Sequence, residues 1–270
     1  MTIASHVPRL TVYGCRAGMP EPGWPSSGYL VHLRGGAVLL DCGPGVAAKA
    51  ATAAELSAVF VSHMHVDHCL DLLTLGKALA YQARDRRRVT AYVPPGAAAT
   101  LRQLNELFPL SPHGPGPHRT DRVFSDVFDT VEYAPGEPIE VAGATVQPVL
   151  MRHRLPCCGF RVSSNGQTLA YSADTAMTPS FEHLAGDADL LLAEATLTEP
   201  DSTEHGHLSA SEAGQIAARY GVRGLVLTHW AHTDHAWLAA QGERAAQGER
   251  AAQHFSGRID LAVPDHTFHL

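Results

Sequence analysis

The sequence contains little lysine and few charged residues overall. Lys49 and Lys77 are its only lysines, charged residues make up 17% of the chain, and 27 acidic side chains against 20 basic ones give a net charge of -7. Attraction to nucleic acid needs a positive surface, so binding driven by overall charge is disfavoured, whereas a local basic patch remains possible. Hydrophobic residues nevertheless make up 45% of the 270 residues. This much apolar material forms a folded core and excludes a disordered chain.

Cysteine and long apolar runs are also scarce. The five cysteines are odd in number and include no C-x-x-C pair, which is not the pattern of a disulfide framework. No run of about 18 apolar residues could cross a bilayer, and the first residues lack the charged and apolar regions of a secretory signal. We therefore expect a cytoplasmic protein with reduced thiols and no membrane partner.

Turn residues and apolar spacing divide the chain into strands and helices. Strands are predicted over residues 10–13, 28–33, 37–40, 58–61, 89–93, 131–133, 139–141, 145–151, 159–162, 169–172, 190–193 and 225–227. Helices are predicted over residues 70–84, 97–107 and 210–220. The Pro- and Gly-rich residues 109–120 predict a loop, and the tandem AAQGER repeat at 239–252 predicts a lengthened surface helix. In each half, strands are followed by alternating strands and helices, an order that two face-to-face sheets with outer helices satisfy.

The segment SHMHVDH at residues 62–68 is the strongest chemical signal. It follows a buried strand and precedes a helix, and it holds three imidazoles and one carboxylate within six residues. These are nitrogen and oxygen ligands suited to zinc, with iron and manganese as alternatives. His63 and His65 can face one point while Asp67 and His68 face a neighbouring one, so a single motif can serve two metals. The alternative is a solvated polar turn in which Asp67 only caps the helix.

A site for two metals needs more ligands than this loop provides. His153, Asp174 and His229 each follow a predicted strand. A single histidine at the end of a strand is commonly structural or solvated. Three such residues beside the histidine-rich motif favour metal binding.

At these positions the sequence resembles the metallo-β-lactamase superfamily, whose five motifs occur in order along nearly the whole chain. They are Asp41, His63-x-His65-x-Asp67-His68, His153, Asp174 and His229. The resemblance implies an α+β fold, the four-layer αββα sandwich, built as a single domain from residues 1–270. It also implies a metal site at one edge, between the sheets.

The resemblance further implies a set of ligands for two divalent metal ions, for which we expect Zn²⁺, with Mn²⁺ or Fe²⁺ as alternatives. One metal would be bound by His63, His65 and His153, the second by Asp67, His68 and His229, with Asp174 and a water bridging the two and Asp41 supporting the site. Two cations close together lower the pKa of that water and supply a hydroxide at neutral pH. The implied reaction is hydrolysis, and Asp67 is counted among the catalytic candidates as well as the ligands.

Segments around Asp174, Glu194 and His207 resemble the tRNase Z and phosphodiesterase branch of the superfamily. In that branch, a histidine aligned with His207 lies near the leaving group, where a general acid must protonate an alkoxide. Glu194 would orient this histidine. The alternative is that the Glu194 carboxylate is only structural and is hydrogen-bonded to the next loop. We interpret His205 as a solvated loop residue, and Ser209 could be only a helix cap.

The size of the substrate is predicted from the sequence features that differ from those of the tRNase Z branch. Its tRNA-processing members often carry a long Gly/Pro- and Lys-rich arm, whereas residues 109–120 contain a single arginine, Arg119. The basic residues at 84–88 are typical of a helix end, which favours cations. We therefore expect a small or cyclic-nucleotide-like phosphodiester as substrate. A tRNA 3′-processing endoribonuclease, a lactone, thioester or β-lactam hydrolase and a non-catalytic scaffold are the alternatives, and a homodimer is expected by resemblance alone.

Overall fold

The computed structural model describes residues 7–53, 56–82, 88–108, 123–200, 206–247 and 255–270, which form fourteen strands, seven α-helices and one π-helical turn at Val123–Val127. The strands are β1 (Arg9–Gly14), β2 (Gly28–Leu33), β3 (Gly36–Leu40), β4 (Leu56–Phe60), β5 (Val89–Val93), β6 (Phe128–Glu132), β7 (Ile139–Val141), β8 (Ala144–Leu150), β9 (Cys158–Ser164), β10 (Gln167–Tyr171), β11 (Leu190–Glu194), β12 (Gly224–Thr228), β13 (Arg258–Leu261) and β14 (Thr267–His269). The helices are α1 (Ala47–Ala50), α2 (Val66–Cys69), α3 (Asp71–Gln82), α4 (Ala97–Leu107), α5 (Phe181–Ala185), α6 (Ala210–Arg219) and α7 (His235–Gln247). None of the helices in these ranges is long and apolar enough to cross a membrane.

The strands form two seven-stranded sheets built on the same plan. Their orders are β14-β1-β2-β3-β4-β5-β6 and β13-β12-β11-β10-β9-β8-β7. One side of each sheet is antiparallel, and the other is a parallel run, β3 to β6 in the first sheet and β10 to β13 in the second. The carboxyl ends of parallel neighbours meet at one edge of a sheet. Residues that follow β3, β4, β10 and β12 are therefore brought together.

The core consists of two apolar layers. Between the sheets, Phe60 of β4 packs edge-on against Phe160 of β9, with ring centroids 5.4 Å apart. The second layer, which includes Leu72 and Leu101, lies between the first sheet and α1, α3 and α4. On the outer face of the second sheet, α6 contacts β11 and β12, and α7 contacts β13. The layer order is the αββα sandwich that the sequence predicts.

The helix predicted over 70–84 is α3, and a break at Leu70 separates it from the short helix α2 that precedes it. The break has a hydrogen-bonding cause. The N–H of Asp71 donates to the carbonyl of Cys42, and the carbonyl of Asp67 accepts from Ser27 N–H, so these two groups do not bond to each other as a continuous helix requires. The loops before α1 and β2 therefore hold the histidine-rich motif in place.

Other boundaries shift for simpler reasons. The strand predicted over 131–133 is β6, which begins at buried Phe128 and pairs only with β5, so its polar Asp129 and Glu132 can face solvent at the sheet edge. The elements α1, α2, α5, β13 and β14 were not predicted from the sequence. The repeat is helical as predicted up to Gln247. Four other predictions fall outside the described residues: those for the rest of the repeat, the loop at 109–120, most of the basic run at 84–88 and His205.

Gly43 allows a close backbone approach beneath the histidine-rich motif. A Cβ at this position would lie 1.9 Å from the carbonyl oxygen of Asp67. We expect Gly43→Ala to lower the free energy of unfolding by about 2 kcal/mol or more, because the backbone must shift to admit the methyl group. The measurement is urea unfolding followed by circular dichroism.

The matched control is Gly136→Ala. Gly136 has a φ of +87°, and a Cβ there meets nothing within 4 Å, so only the left-handed conformation is penalised, by about 1 kcal/mol. Equal losses of stability in the two variants would contradict the steric argument for Gly43.

Candidate metal centre

The structure brings the polar residues that follow five strands to one edge of the sandwich. Asp41 follows β3, the histidine-rich motif follows β4, and His229 follows β12. His63 and His68 are fully buried. All seven side chains predicted as ligands converge there: His63, His65, Asp67, His68, His153, Asp174 and His229.

Three imidazoles and one carboxylate oxygen form a first group. His65 Nδ1 lies 2.9 Å from His63 Nε2 and 3.3 Å from His153 Nε2. Asp174 Oδ2 lies 3.7 Å from His63 Nε2 and 3.9 Å from His153 Nε2. Ligands of a tetrahedral zinc ion at about 2.0–2.1 Å are separated by roughly 3.3 Å. The spacing of this group therefore fits a divalent cation.

A second group lies on the other side of Asp174. His229 Nε2 is 3.3 Å from His68 Nε2 and 3.3 Å from Asp67 Oδ2, and His68 Nε2 is 3.6 Å from Asp67 Oδ2. Asp174 Oδ1 lies 3.3 Å from His68 Nε2 and 3.4 Å from His229 Nε2. These separations again match those between ligands of one small cation.

Asp174 faces both groups, one oxygen to each. Its side chain is buried, and within the described part of the chain Oδ1 accepts no hydrogen bond of ordinary geometry. A buried carboxylate oxygen without a donor is costly unless a cation satisfies it. This oxygen, together with the donor set on both sides of Asp174, fits divalent metal ions.

Four of the histidines are held from behind through Nδ1. The partners are Ser62 Oγ for His63 at 3.0 Å, Asp41 Oδ2 for His68 at 2.7 Å, Gly206 O for His153 at 3.0 Å and Thr196 Oγ1 for His229 at 2.8 Å. The carboxylate and the carbonyl can only accept, so Nδ1 of His68 and of His153 carries the hydrogen. The Nε2 lone pairs are thereby turned toward the two groups, as metal ligation requires.

Asp41 is the buried carboxylate that fixes this side of the centre. It accepts from the N–H and hydroxyl of Ser62 at 2.7 and 2.9 Å, from Tyr171 OH at 2.7 Å and from His68. Asp41 belongs to neither ligand group. Its position matches the supporting role that the resemblance implies.

Three strand ends at the centre adopt left-handed backbone conformations without glycine. Asp41, Ala173 and His229 have φ values of +61°, +50° and +59°. Such conformations cost about 1 kcal/mol or more each and persist where the surroundings enforce them. The turns direct Asp41, Asp174 and His229 inward at the point where each strand leaves its sheet.

The charges of the centre favour a bound cation. Burial alone would raise the pKa of Asp174, but His229 and His68 hold it well below its usual range. Burial opposes protonation of His68, yet the carboxylates of Asp174 and Asp41 outweigh it and raise its pKa. Burial lowers the pKa of His63, which keeps that ring neutral. The carboxylates therefore attract positive charge to this point, whether as a proton or as a metal ion.

Glu194 and His207 form a pair beside the centre. His207 Nδ1 lies 3.0 and 3.1 Å from the two oxygens of Glu194, which is buried, and 3.9 Å from Asp174 Oδ2. Burial would lower the pKa of His207, but the charge and hydrogen bond of Glu194 raise it to about 9. The His207 side chain is 22% exposed. Glu194 thus favours the protonated form of this imidazole, which lies at the more exposed side of the cluster.

Comparison with known proteins establishes the family. Residues 37–230 match the family model described as the beta-lactamase superfamily domain. The chain belongs to this superfamily. Among its relatives are the uncharacterized protein Rv1339 of Mycobacterium tuberculosis, 33% identical over 96% of this chain and 91% of that protein, and the ribonuclease Z of Mycobacterium marinum, 29% identical over 93% and 95%. The crystal structure of YhfI, a metallo-beta-lactamase fold protein from Bacillus subtilis, has a TM-score of 0.81 at 26% identity and covers 97% of this chain and 99% of that one.

Some contacts around the candidate centre were not identified from the sequence. The N–H of Gly18 donates to Asp67 Oδ2 at 2.7 Å, and Thr196 donates to Glu194 Oε2 at 2.6 Å. Thr196 could have been noticed, because it follows Glu194 at the end of a buried strand. Ser209 forms a capping box with Glu212 at the start of α6, so its role is that of a helix cap.

The cysteines do not contribute to the candidate ligand groups. All five are buried and free, and none belongs to either group. Cys157 Sγ lies 3.6 Å from His63 Nδ1, on the side of the ring that faces away from the metal group. Burial raises the pKa of Cys157 well above its usual value, which makes a thiolate unfavourable.

We expect Asp41→Asn to weaken the binding of zinc at the second group about 10- to 100-fold, because the amide no longer attracts the Nδ1 hydrogen of His68 as a carboxylate does. Tyr171→Phe, which removes one donor and keeps the carboxylate, should have a smaller effect. The measurement is competition against a chromophoric chelator.

The control for this prediction is Asp265→Asn. Asp265 is an exposed carboxylate that pairs with Lys49, so its removal leaves the rear of His68 untouched. If Asp41→Asn bound zinc as tightly as this control, the supporting role of Asp41 would be wrong.

Proposed function

We propose that this chain is a dinuclear metal-dependent hydrolase that cleaves a phosphodiester in a small or cyclic-nucleotide-like substrate. The observation that carries the proposal is the Glu194–His207 pair beside the two ligand groups. A phosphodiester releases an alkoxide, a strong base that leaves readily only when it is protonated. A histidine that carries a proton at the edge of the cluster supplies that need.

We propose zinc as the metal, with His63, His65 and His153 as ligands of one ion, Asp67, His68 and His229 as ligands of the other, and Asp174 contacting both. When bound, such a pair lowers the pKa of a nearby water and stabilises the negative charge that develops on an attacked phosphate.

The chain's own side chains supply orientation and the proton. Gly18 N–H donates to Asp67 Oδ2 and holds this carboxylate in place. Glu194 receives the Nδ1 hydrogen of His207, so the Nε2 hydrogen of the same ring is the one directed to the leaving oxygen. Burial of Glu194 keeps this pair oriented without water competing for the carboxylate.

A tRNA 3′-processing endoribonuclease is the second candidate. The similarity to a protein named ribonuclease Z, 29% identical over 93% of this chain, favours it. The net charge of -7 favours the small substrate, since a folded RNA needs a positive surface. Cleavage of precursor tRNA at a rate above that of cyclic AMP would decide for the endoribonuclease.

We expect His207→Ala to lower kcat about 10²- to 10⁴-fold for cyclic AMP, whose leaving group is an alkoxide. The loss should be much smaller for bis(p-nitrophenyl) phosphate, because p-nitrophenolate leaves without protonation. His183→Ala, which removes an exposed histidine of α5, is the control. Equal losses on both substrates, or loss of bound zinc in His207→Ala, would contradict a general-acid role.

We expect Asp174→Ala to lose at least one of two bound zinc equivalents and phosphodiesterase activity, because its two oxygens face both ligand groups. Metal analysis after gel filtration and turnover of bis(p-nitrophenyl) phosphate provide the readouts. Asp129→Ala, which removes an exposed carboxylate paired with Arg88, is the control. If Asp174→Ala retained two zinc equivalents and the wild-type rate, the bridging role of Asp174 would be excluded. If the unmodified protein cleaved lactones or thioesters but no phosphodiester, it would be an acyl hydrolase.

A further inference from the structure

Thr196 lies between a candidate metal ligand and the buried carboxylate that holds the proposed acid. Its hydroxyl oxygen is 2.8 Å from His229 Nδ1 and 2.6 Å from Glu194 Oε2. Glu194 contacts His207 Nδ1 in turn, at 3.0 Å. An unbroken series of hydrogen bonds therefore joins His229 to His207 through Thr196 and Glu194.

The direction of these hydrogen bonds follows from proton accounting. A carboxylate can only accept, so the single hydroxyl proton of Thr196 is donated to Glu194 Oε2. The alternative acceptor, the carbonyl oxygen of His229, is farther away at 3.2 Å. With its proton committed, the Thr196 oxygen accepts from His229, and His229 Nδ1 carries the hydrogen. His229 Nε2 is left with a lone pair, and this atom lies 3.3 Å from Asp67 Oδ2 and 3.4 Å from Asp174 Oδ1.

The same hydroxyl also restrains Glu194. Oε1 accepts from the backbone N–H of Thr175 at 2.7 Å, and Oε2 accepts from Thr196. His207 Nδ1 lies within about equal reach of both oxygens. Without the hydroxyl, Oε2 would lose its shortest hydrogen bond, and the carboxylate could rotate about its bond to the side chain. The direction of the His207 ring depends on that carboxylate.

We propose that Thr196 is a positioning residue that fixes the tautomer of His229 and the orientation of Glu194 at once. In this role Thr196 contacts neither a metal ion nor the substrate directly. The part of this inference that concerns His207 rests on the proposed function, whereas the part that concerns His229 depends on no substrate. One hydroxyl thus couples the second ligand group to the acid.

The experiment replaces Thr196 with valine, which keeps the shape and removes the hydroxyl, and with serine, which keeps the hydroxyl. Thr130→Val is the matched control, since Thr130 on β6 donates only to the carbonyl of Phe124. Zinc affinity is measured by competition with a chromophoric chelator. The His229 ring is followed by long-range proton–nitrogen NMR spectra of the zinc-loaded protein.

We expect Thr196→Val to bind its weaker zinc ion about 10- to 100-fold less tightly and to lose the slowly exchanging Nδ1 hydrogen of His229. Thr196→Ser and Thr130→Val should retain both. In turnover of cyclic AMP, Thr196→Val should lower kcat with little change in KM, because His207 is no longer oriented toward the leaving group. The loss of kcat should be smaller with bis(p-nitrophenyl) phosphate, whose leaving group needs no proton. If the valine variant does not fold, Thr196→Ala takes its place with the same expectations.

Wild-type zinc affinity and a retained Nδ1 hydrogen of His229 in the variants without the hydroxyl would overturn the inference. Equal losses in the serine variant would do so as well, because the hydroxyl is then not the cause. Absence of phosphodiester turnover in the unmodified protein would contradict the proposed function alone, since zinc affinity and the NMR spectra still decide the role of Thr196.

Discussion

The candidate centre depends on turning the nitrogen atoms of several imidazoles and the oxygen atoms of two carboxylates toward one another at a buried point. His68 and His229 approach to 3.3 Å through Nε2, and Asp174 Oδ1 lies against both without a hydrogen bond of ordinary geometry. Uncompensated, such an arrangement opposes folding, because buried polar atoms lose their interactions with water. The partners behind the rings make the arrangement possible, since each Nδ1 hydrogen has an acceptor of its own. Metal ions would then satisfy the inward-facing atoms.

The backbone around the centre adopts strained conformations that direct the polar side chains inward. Ala173 and His229 occupy left-handed conformations at the ends of β10 and β12, and Asp41 does so at the end of β3. The glycine at position 43 allows the loop after β3 to touch the carbonyl of Asp67. Local strain of this kind persists only where the surrounding packing enforces it. The two rigid sheets and their shared core provide that enforcement, so the fold and the site are stabilised by the same contacts.

Much of the fold and most of the candidate ligands could be predicted from the sequence, because both leave short-range signals. The spacing of His63, His65 and His68 within one loop is such a signal, and so is the position of His229 after an apolar strand. Contacts that depend on distant segments left none. The break between α2 and α3 arises because Cys42 and Ser27 take the hydrogen bonds of the helix, and neither residue is near in sequence. Thr196 joins Glu194 to His229, 33 residues farther along the chain.

Two buried carboxylates illustrate how one chemical group is given two roles by its donors. Asp41 accepts from a backbone N–H, two hydroxyls and the rear of one ring, and all of these groups are buried, so its charge serves only to orient a candidate ligand. Glu194 also accepts from a backbone N–H and a hydroxyl, but its remaining donor is His207, whose side chain is partly exposed. The charge of Glu194 is therefore transmitted to a ring that a substrate can reach. Thr196, the hydroxyl donor to Glu194, is also hydrogen-bonded to His229. The same few hydrogen bonds therefore set the orientation of the His207 ring and that of His229, a candidate metal ligand.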